Sequence, residues 1–420
     1  MMNQSKQTIA SLIKKIPKTD IHVHLDGSLR LDTMIDIAKK EKIKLPSDTV
    51  EGLNELVFKD TYADLVEYLK PFDYTVAVMQ RPEYLERIAY EFAVDSQADG
   101  VRYTEVRFAP QLHMGKHMDM RTVLLSVNKG LKRAQNEFNS RPEIKSGSEP
   151  AFHYGIIVCA LRSFGPLSEY YANFIDSLSF SDPKAIFSLA SLEVAKGAVK
   201  IRDEEGLPIV AFDLAGAEKG NPARDHQDAF QYAHAHFMAK TVHAGEAYGA
   251  PSIFQAITEL HADRIGHGYY LFDTSKIEDP SIVDKERYVE ELAQYIAARR
   301  MTIEVCLTSN LQTNASLDNL RDHSFRHMMS HDLSTTFCTD NRTVSKTTVT
   351  REILLALEHF DITPHKLKNM IIYGFKRSFF PYSYPMKRKY IRQCIDYYES
   401  LTVGTPLEVT EESRNVKIVC

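Results

Sequence analysis

The 420-residue chain has no tryptophan, only five cysteines, and no long run of apolar or of like-charged side chains. Each shortage removes a class of protein. A bilayer span takes about 20 consecutive apolar residues, so no membrane segment is expected. With 51 basic against 56 acidic side chains the net charge is -5, which argues against nucleic acid or an anionic membrane as partner and for a small or weakly charged ligand. Cys159, Cys306, Cys338, Cys394 and Cys420 are odd in number and contain no Cys-x-x-Cys pair. They suit neither a disulfide framework nor a cysteine-built zinc site, and three sit in or beside apolar runs as core residues of a reducing compartment would. The first 18 residues lack the apolar stretch of a secretory leader. The expectation is a cytoplasmic protein of enzyme size.

A further absence concerns architecture. No G-x-G-x-x-G turn follows an early strand, which counts against an open, doubly wound sheet. What is present is alternation. Eight short segments rich in β-branched or apolar residues, at 18–25, 101–108, 154–161, 208–214, 240–244, 264–268, 301–307 and 334–339, predict strands. Stretches with helical apolar spacing fall mostly between them, at 82–99, 120–138, 183–204, 225–238, 252–261, 284–299 and 320–331. Eight alternating units imply an α/β fold: a (β/α)8 TIM-type barrel with additional helices after the first strand, as one domain over residues 1–420. Residues 31–80 are expected to form a helical lid, 139–150 a surface loop and 404–420 a peripheral tail.

In a parallel barrel the chemistry gathers at the C-terminal ends of the strands, and the histidines and acids fall there. The first strand ends His22-Val23-His24 and is followed by Leu25-Asp26-Gly27. Alternation along a strand turns residues two apart to the same side, so His22 and His24 can share one ion. The fifth ends His243-Ala244-Gly245-Glu246, the sixth Gly266-His267-Gly268 and the eighth Cys338-Thr339-Asp340-Asn341. Imidazoles and a carboxylate from separate strands match the ligands zinc accepts, with glutamate and histidine left to handle protons. Two other groupings have plainer readings. His234-Ala235-His236 lies in a helical stretch, where residues two apart diverge. His323, His327 and His331 repeat every four residues, as one structural or solvated helical face directed away from the chemistry would.

As a set, these strings resemble the adenosine deaminase family of metal-dependent barrel hydrolases. The matching runs are Pro17 to Ser28, Asp213-Leu214-Ala215-Gly216, His243-Ala244-Gly245-Glu246, Arg264-Ile265-Gly266-His267-Gly268, Cys306-Leu307-Thr308-Ser309-Asn310 and Thr339-Asp340-Asn341, in family order. The resemblance implies one Zn2+ per chain held by His22, His24, His243 and Asp340, and hydrolytic removal of the purine 6-amino group. It implies Glu246 as proton donor to purine N1, Asp340 as acceptor of a hydrogen bond from the zinc-bound water, and His267 as the group that orients that water and accepts its proton. It also implies substrate contacts from Asp26 to the ribose 5′-hydroxyl, from Gly216 to N3 and from Asn341 to N7. Relatives acting on the free base tend to carry Glu at the position of Asp26, so a nucleoside, adenosine or 2′-deoxyadenosine, is favoured over adenine; a modified 6-aminopurine nucleoside is the other alternative.

Two positions depart from the family pattern. Asn341 stands where many members have a second Asp, a tolerable change because an amide donates to N7 without needing protonation. Ala217 replaces the acid that often follows Leu-Ala-Gly, which leaves the geometry of that loop open. A two-metal relative would need a lysine at a middle strand end, whereas Lys240 begins its strand. A non-catalytic nucleoside-binding barrel would be expected to have lost Glu246, His267 or Asp340; all three are present.

Overall fold

The β-branched runs do become the strands of one parallel sheet. In the computed structural model, which describes residues 2–166, 169–314, 317 and 319–419, these are Lys18–His24 (β1), Val101–Phe108 (β2), His153–Leu161 (β3), Ile209–Ala215 (β4), Ala239–Ala244 (β5), Arg264–His267 (β6), Thr302–Val305 (β7) and Ser334–Phe337 (β8). Cys420 lies outside the described residues; the other four cysteines are buried and free. Neighbouring strands pair in sequence order from β1 to β8, all parallel. The ring closes just beyond β8, where Val23 bridges Asp340. There the His24 N–H donates to the Asp340 carbonyl at 2.7 Å, and the Asp340 N–H donates to the His22 carbonyl at 2.9 Å. Closure of the barrel therefore sets Asp340 beside both histidines of β1.

The fold is the expected (β/α)8 barrel, and two local expectations fail for identifiable reasons. The seventh segment stops at Val305 rather than running to 307, because a helix starts at Leu307. The buried Glu352 carboxylate draws it over by accepting the backbone N–H of Thr308 at 3.1 Å and the Thr308 hydroxyl, the favourable place for an anion at a helix start. The stretch 320–331 is not one helix either. It is a 3-10 turn at Leu320–Asp322 and a short helix at Phe325–Ser330. His323 between them is extended, at φ -58° and ψ 139°, and its ring takes the Phe325 N–H at 2.9 Å, a side chain competing with the helix for a backbone donor. His323 thus leaves the helical face expected for the three and is buried, while His327 and His331 stay together and both pack on Phe272.

Four helices, Leu31–Glu41, Val50–Leu56, Leu65–Leu69 and Phe72–Ala77, follow β1. Thr49 and Asp64 cap the second and third by accepting the N–H of Gly52 and Glu67, so polar residues fix the turns while Met34, Ile37, Leu53 and Phe58 enter the core. Among the described residues no helix is long and apolar enough to cross a membrane.

Inside the barrel lies a layer of paired charges. Glu304 of β7 accepts from Arg107 of β2 at 2.9 Å, Arg264 of β6 at 2.6 Å and the Thr241 hydroxyl of β5 at 3.0 Å. Arg107 also reaches Asp213 of β4 at 2.9 Å, and Arg264 pairs with Glu105 of β2. All five charged side chains are buried, where an unpaired charge would be costly and a paired, hydrogen-bonded one is tolerated.

Candidate metal centre and active-site cavity

The charged layer orients the imidazoles above it. His22 Nδ1 donates to Glu304 at 2.7 Å, which leaves Nε2 buried without a hydrogen-bond partner. His243 Nδ1 faces the two oxygens of Asp213 at 3.1 and 3.2 Å, so its Nε2 also points inward with a lone pair. That atom stands 3.1 Å from His24 Nε2. Asp340 Oδ1 is 3.5 Å from Nε2 of both His22 and His24, while Oδ2 accepts from the Ser309 hydroxyl at 2.6 Å. Burial opposes ionisation of Asp340, but the surrounding imidazoles, His22 first, prevail and hold the carboxyl below its ordinary range. Nitrogens of three imidazoles and an ionised carboxylate converging at such distances fit a divalent cation. His267 is close as well: the ligand-capable atoms of His22, His243, His267 and Asp340 all lie within 4.8 Å of one another.

Backbone conformation contributes. His267 and Asp340 both have left-handed φ, at 65° and 57°, a region that non-glycine residues adopt seldom and mainly where surrounding structure compels them. Gly266 is required by space, since a Cβ there would approach His22 Cε1 to 2.9 Å.

Glu246 sits on the loop after β5, its side chain 8% exposed and its Oε1 3.7 Å from His267 Nε2. Burial, reinforced by the charges of Asp340 and Glu218, pushes its carboxyl up to about 8. That loop is held by a residue that no sequence motif singles out. The Glu218 carboxylate accepts the backbone N–H groups of Gly245, Glu246, Ala247 and Tyr248 at 2.6 to 3.2 Å and the Ser252 hydroxyl at 2.6 Å. Arg162, just past β3, adds a hydrogen bond to the His243 carbonyl at 2.6 Å. The loop geometry left open by Ala217 is therefore set one residue later.

These groups face a cavity of about 310 Å³ whose wall includes His24, Asp26, Gly216, His243, Glu246, His267, Asp340 and Asn341. Leu65, Tyr68, Leu69 and Phe72 of the helical insertion cover it. No lysine or arginine is among the described residues lining it. Asp26 Oδ1 and Asn341 Oδ1 are buried there without partners, and burial drives the Asp26 carboxyl up to about 7. Asn341 gives one amide hydrogen to the Tyr68 hydroxyl at 3.0 Å, which also pairs with Ser345 at 2.8 Å. At Gly216 a φ of 98° demands glycine, although a Cβ would meet nothing nearer than 3.7 Å. Tyr269 and Tyr270 are not among the lining residues; Tyr269 packs on His323 instead, with ring centroids 4.9 Å apart. His234 stacks on His261 at 4.5 Å, away from the cavity.

Fold and site together define a class, the α/β-barrel hydrolases with a His/Asp cluster suited to a metal ion. The chain belongs to the adenosine deaminase family: the family model described as adenosine deaminase matches residues 17–169 and 185–397. An adenosine deaminase of Mycobacterium leprae is 34% identical over 372 residues, covering 88% of this chain and 92% of that protein. Among solved structures, an adenine deaminase from Arthrobacter aurescens has a TM-score of 0.69 at 22% identity, covering 91% of this chain and 99% of its own. An amidohydrolase from Burkholderia ambifaria with bound zinc has a TM-score of 0.71 at 19% identity, covering 94% and 93%. The chain is thus a hydrolytic deaminase of this family.

Proposed function

We propose that the chain converts adenosine and 2′-deoxyadenosine, with water, to inosine and 2′-deoxyinosine plus ammonia, using one zinc ion per chain held by His22, His24, His243 and Asp340. The observation that carries this reading is the convergence of imidazole nitrogens and a carboxylate on one point of the cavity, His22 Nε2 without a hydrogen-bond partner and the rings of His22 and His243 each oriented by a buried carboxylate behind them. When bound, the ion supplies a water whose pKa is brought toward neutrality. Asp340, kept ionised, takes one proton of the attacking water and returns it to the departing amino nitrogen, while the other water proton restores Glu246. Glu246, protonated at neutral pH, carries the proton for purine N1; placing it there draws electron density from C6, where the water oxygen adds and from which the amino group leaves as ammonia. His267 holds the attacking oxygen in line.

Substrate choice rests on other residues of the same cavity wall. The unpartnered oxygen of Asp26 suits the ribose 5′-hydroxyl, which favours a nucleoside over adenine. The absence of lysine and arginine among the described lining residues favours an uncharged nucleoside over its 5′-phosphate. The second amide hydrogen of Asn341 remains for N7, and the bare backbone at Gly216 for N3.

The direct test is ammonia release from a panel of 6-aminopurines (adenosine, 2′-deoxyadenosine, adenine, N6-methyladenosine and AMP), with metal content measured on the same sample. Turnover of the two unmodified nucleosides with one zinc per chain is expected. Release from adenine alone, or two metals per chain, would overturn the reading.

A further inference from the structure

The histidine that interrupts the helix expected over 320–331 is connected to the cavity. His323 Nδ1 receives the Phe325 backbone N–H at 2.9 Å, and its Nε2 lies 3.2 Å from Asn310 Oδ1. The Asn310 amide nitrogen in turn lies 3.2 Å from Nδ1 of His267. All three side chains are buried.

Directions along this chain follow from its one invariant member. A backbone amide can only donate, so His323 Nδ1 must present its lone pair, and the ring, neutral by burial, carries its proton on Nε2. That proton meets the carbonyl end of Asn310 and turns the amide end toward His267. His267 Nδ1 consequently accepts, and its proton sits on Nε2, the atom facing Glu246 across the cavity. The reverse polarity would set the His323 Nδ1–H against the Phe325 N–H, two donors 2.9 Å apart. A doubly protonated His267 would likewise oppose an N–H to the Asn310 amide.

We propose that His323, acting through Asn310, is a positioning residue that locks His267 in its Nε2–H tautomer. Two consequences follow. A protonated Nε2 has no lone pair for a metal, so of the five clustered groups His267 is the one excluded from ligation, which leaves His22, His24, His243 and Asp340. His267 then serves as a hydrogen-bond donor to the attacking oxygen and not as its proton acceptor. The tautomer concerns the protein alone; both consequences rest on the proposed metal-dependent deaminase reading.

The test uses long-range proton–nitrogen correlation spectra of zinc-loaded and metal-free protein labelled at the histidine ring nitrogens, with His267 and His323 assigned by single substitutions. Both rings should be protonated at Nε2 and bare at Nδ1; a proton on His267 Nδ1 overturns the proposal. His323→Met keeps about the same volume without a donor, whereas His323→Gln restores an N–H at the Nε2 position. The methionine variant should lose about tenfold or more in kcat with KM and zinc content within about twofold, and the glutamine variant should stay within about threefold of wild type. Equal losses in both would overturn the positioning role. Should neither variant fold, the wild-type spectrum decides between the two tautomers. That spectrum needs no substrate, so a wrong substrate assignment would leave its outcome unaffected.

Discussion

Two levels of the barrel interior are built from the same strands and obey opposite rules. In the lower level Glu105, Arg264, Glu304, Arg107 and Asp213 form a sequence in which each charge meets an opposite one. At the rim, β1 and the residues beyond β1 and β8 carry His22 Nε2, Asp26 Oδ1 and Asn341 Oδ1, buried and unpartnered. A buried polar atom without a partner costs on the order of 1–3 kcal/mol, so the rim is poorly satisfied as bare protein, while in the layer below every charge is paired and Arg107 Nε alone lacks a partner. The difference separates what holds the barrel from what binds. Lower-level carboxylates fix ring orientation, and the rim presents the atoms thereby left free.

This division of labour is most open to challenge at the rim. Stripping divalent ions with a chelator should abolish ammonia release yet leave the far-ultraviolet circular dichroism spectrum almost unchanged; substantial loss of helix signal would mean that the rim, not the layer below, maintains the barrel. Next in size, Glu246→Gln should lower kcat by about 10² to 10⁴ with zinc content preserved, and near-normal turnover would remove Glu246 from the reaction. In the lower level, Glu304→Ala leaves Arg107 and Arg264 buried without their shared carboxylate and should cost about 3–5 kcal/mol in denaturant unfolding. A loss below about 1 kcal/mol would show that the layer is not stabilising in the sense argued.

The smallest effect concerns protons. Burial raises the Glu246 carboxyl from its ordinary 4.5 to about 8, so between those values the folded protein binds a proton that the unfolded chain has released. Stability from this group is therefore full below pH 4.5 and declines as pH rises to about 8, at no more than about 1.4 kcal/mol per pH unit. Metal-free Glu246→Gln protein should gain in thermal stability over wild type across that window; parallel curves would contradict it. Turnover, which needs the protonated acid, should fall on the alkaline side near pH 8.

The strands are legible in the sequence because β-branched runs have a period and a length, and all eight lie within two residues of their expected bounds. The site is legible where a chemically distinctive residue ends a strand, as with His22, His243 and His267. Residues that act at a distance in sequence are not. Glu218 gives no local pattern, since its four backbone donors lie 27 to 30 positions downstream. Glu304 looks like an ordinary strand acid, and its 282-residue separation from His22 is invisible without the fold. His323 misleads for a different reason: the four-residue spacing obeys helix periodicity, but a ring nitrogen captures the donor the helix needs. An extended residue after a 3-10 turn has no reliable compositional mark.

The seam between the first strand and the end of the eighth has a temporal consequence. The two backbone hydrogen bonds that stitch it belong to the residue whose carboxylate also completes the rim. During synthesis, a nascent polypeptide that has not yet emerged past position 340 has neither a finished ring nor a complete pocket. Competence is thus acquired late and all at once, and a proteolytic stump ending before that point would retain most of the staves but nothing able to carry out the deamination.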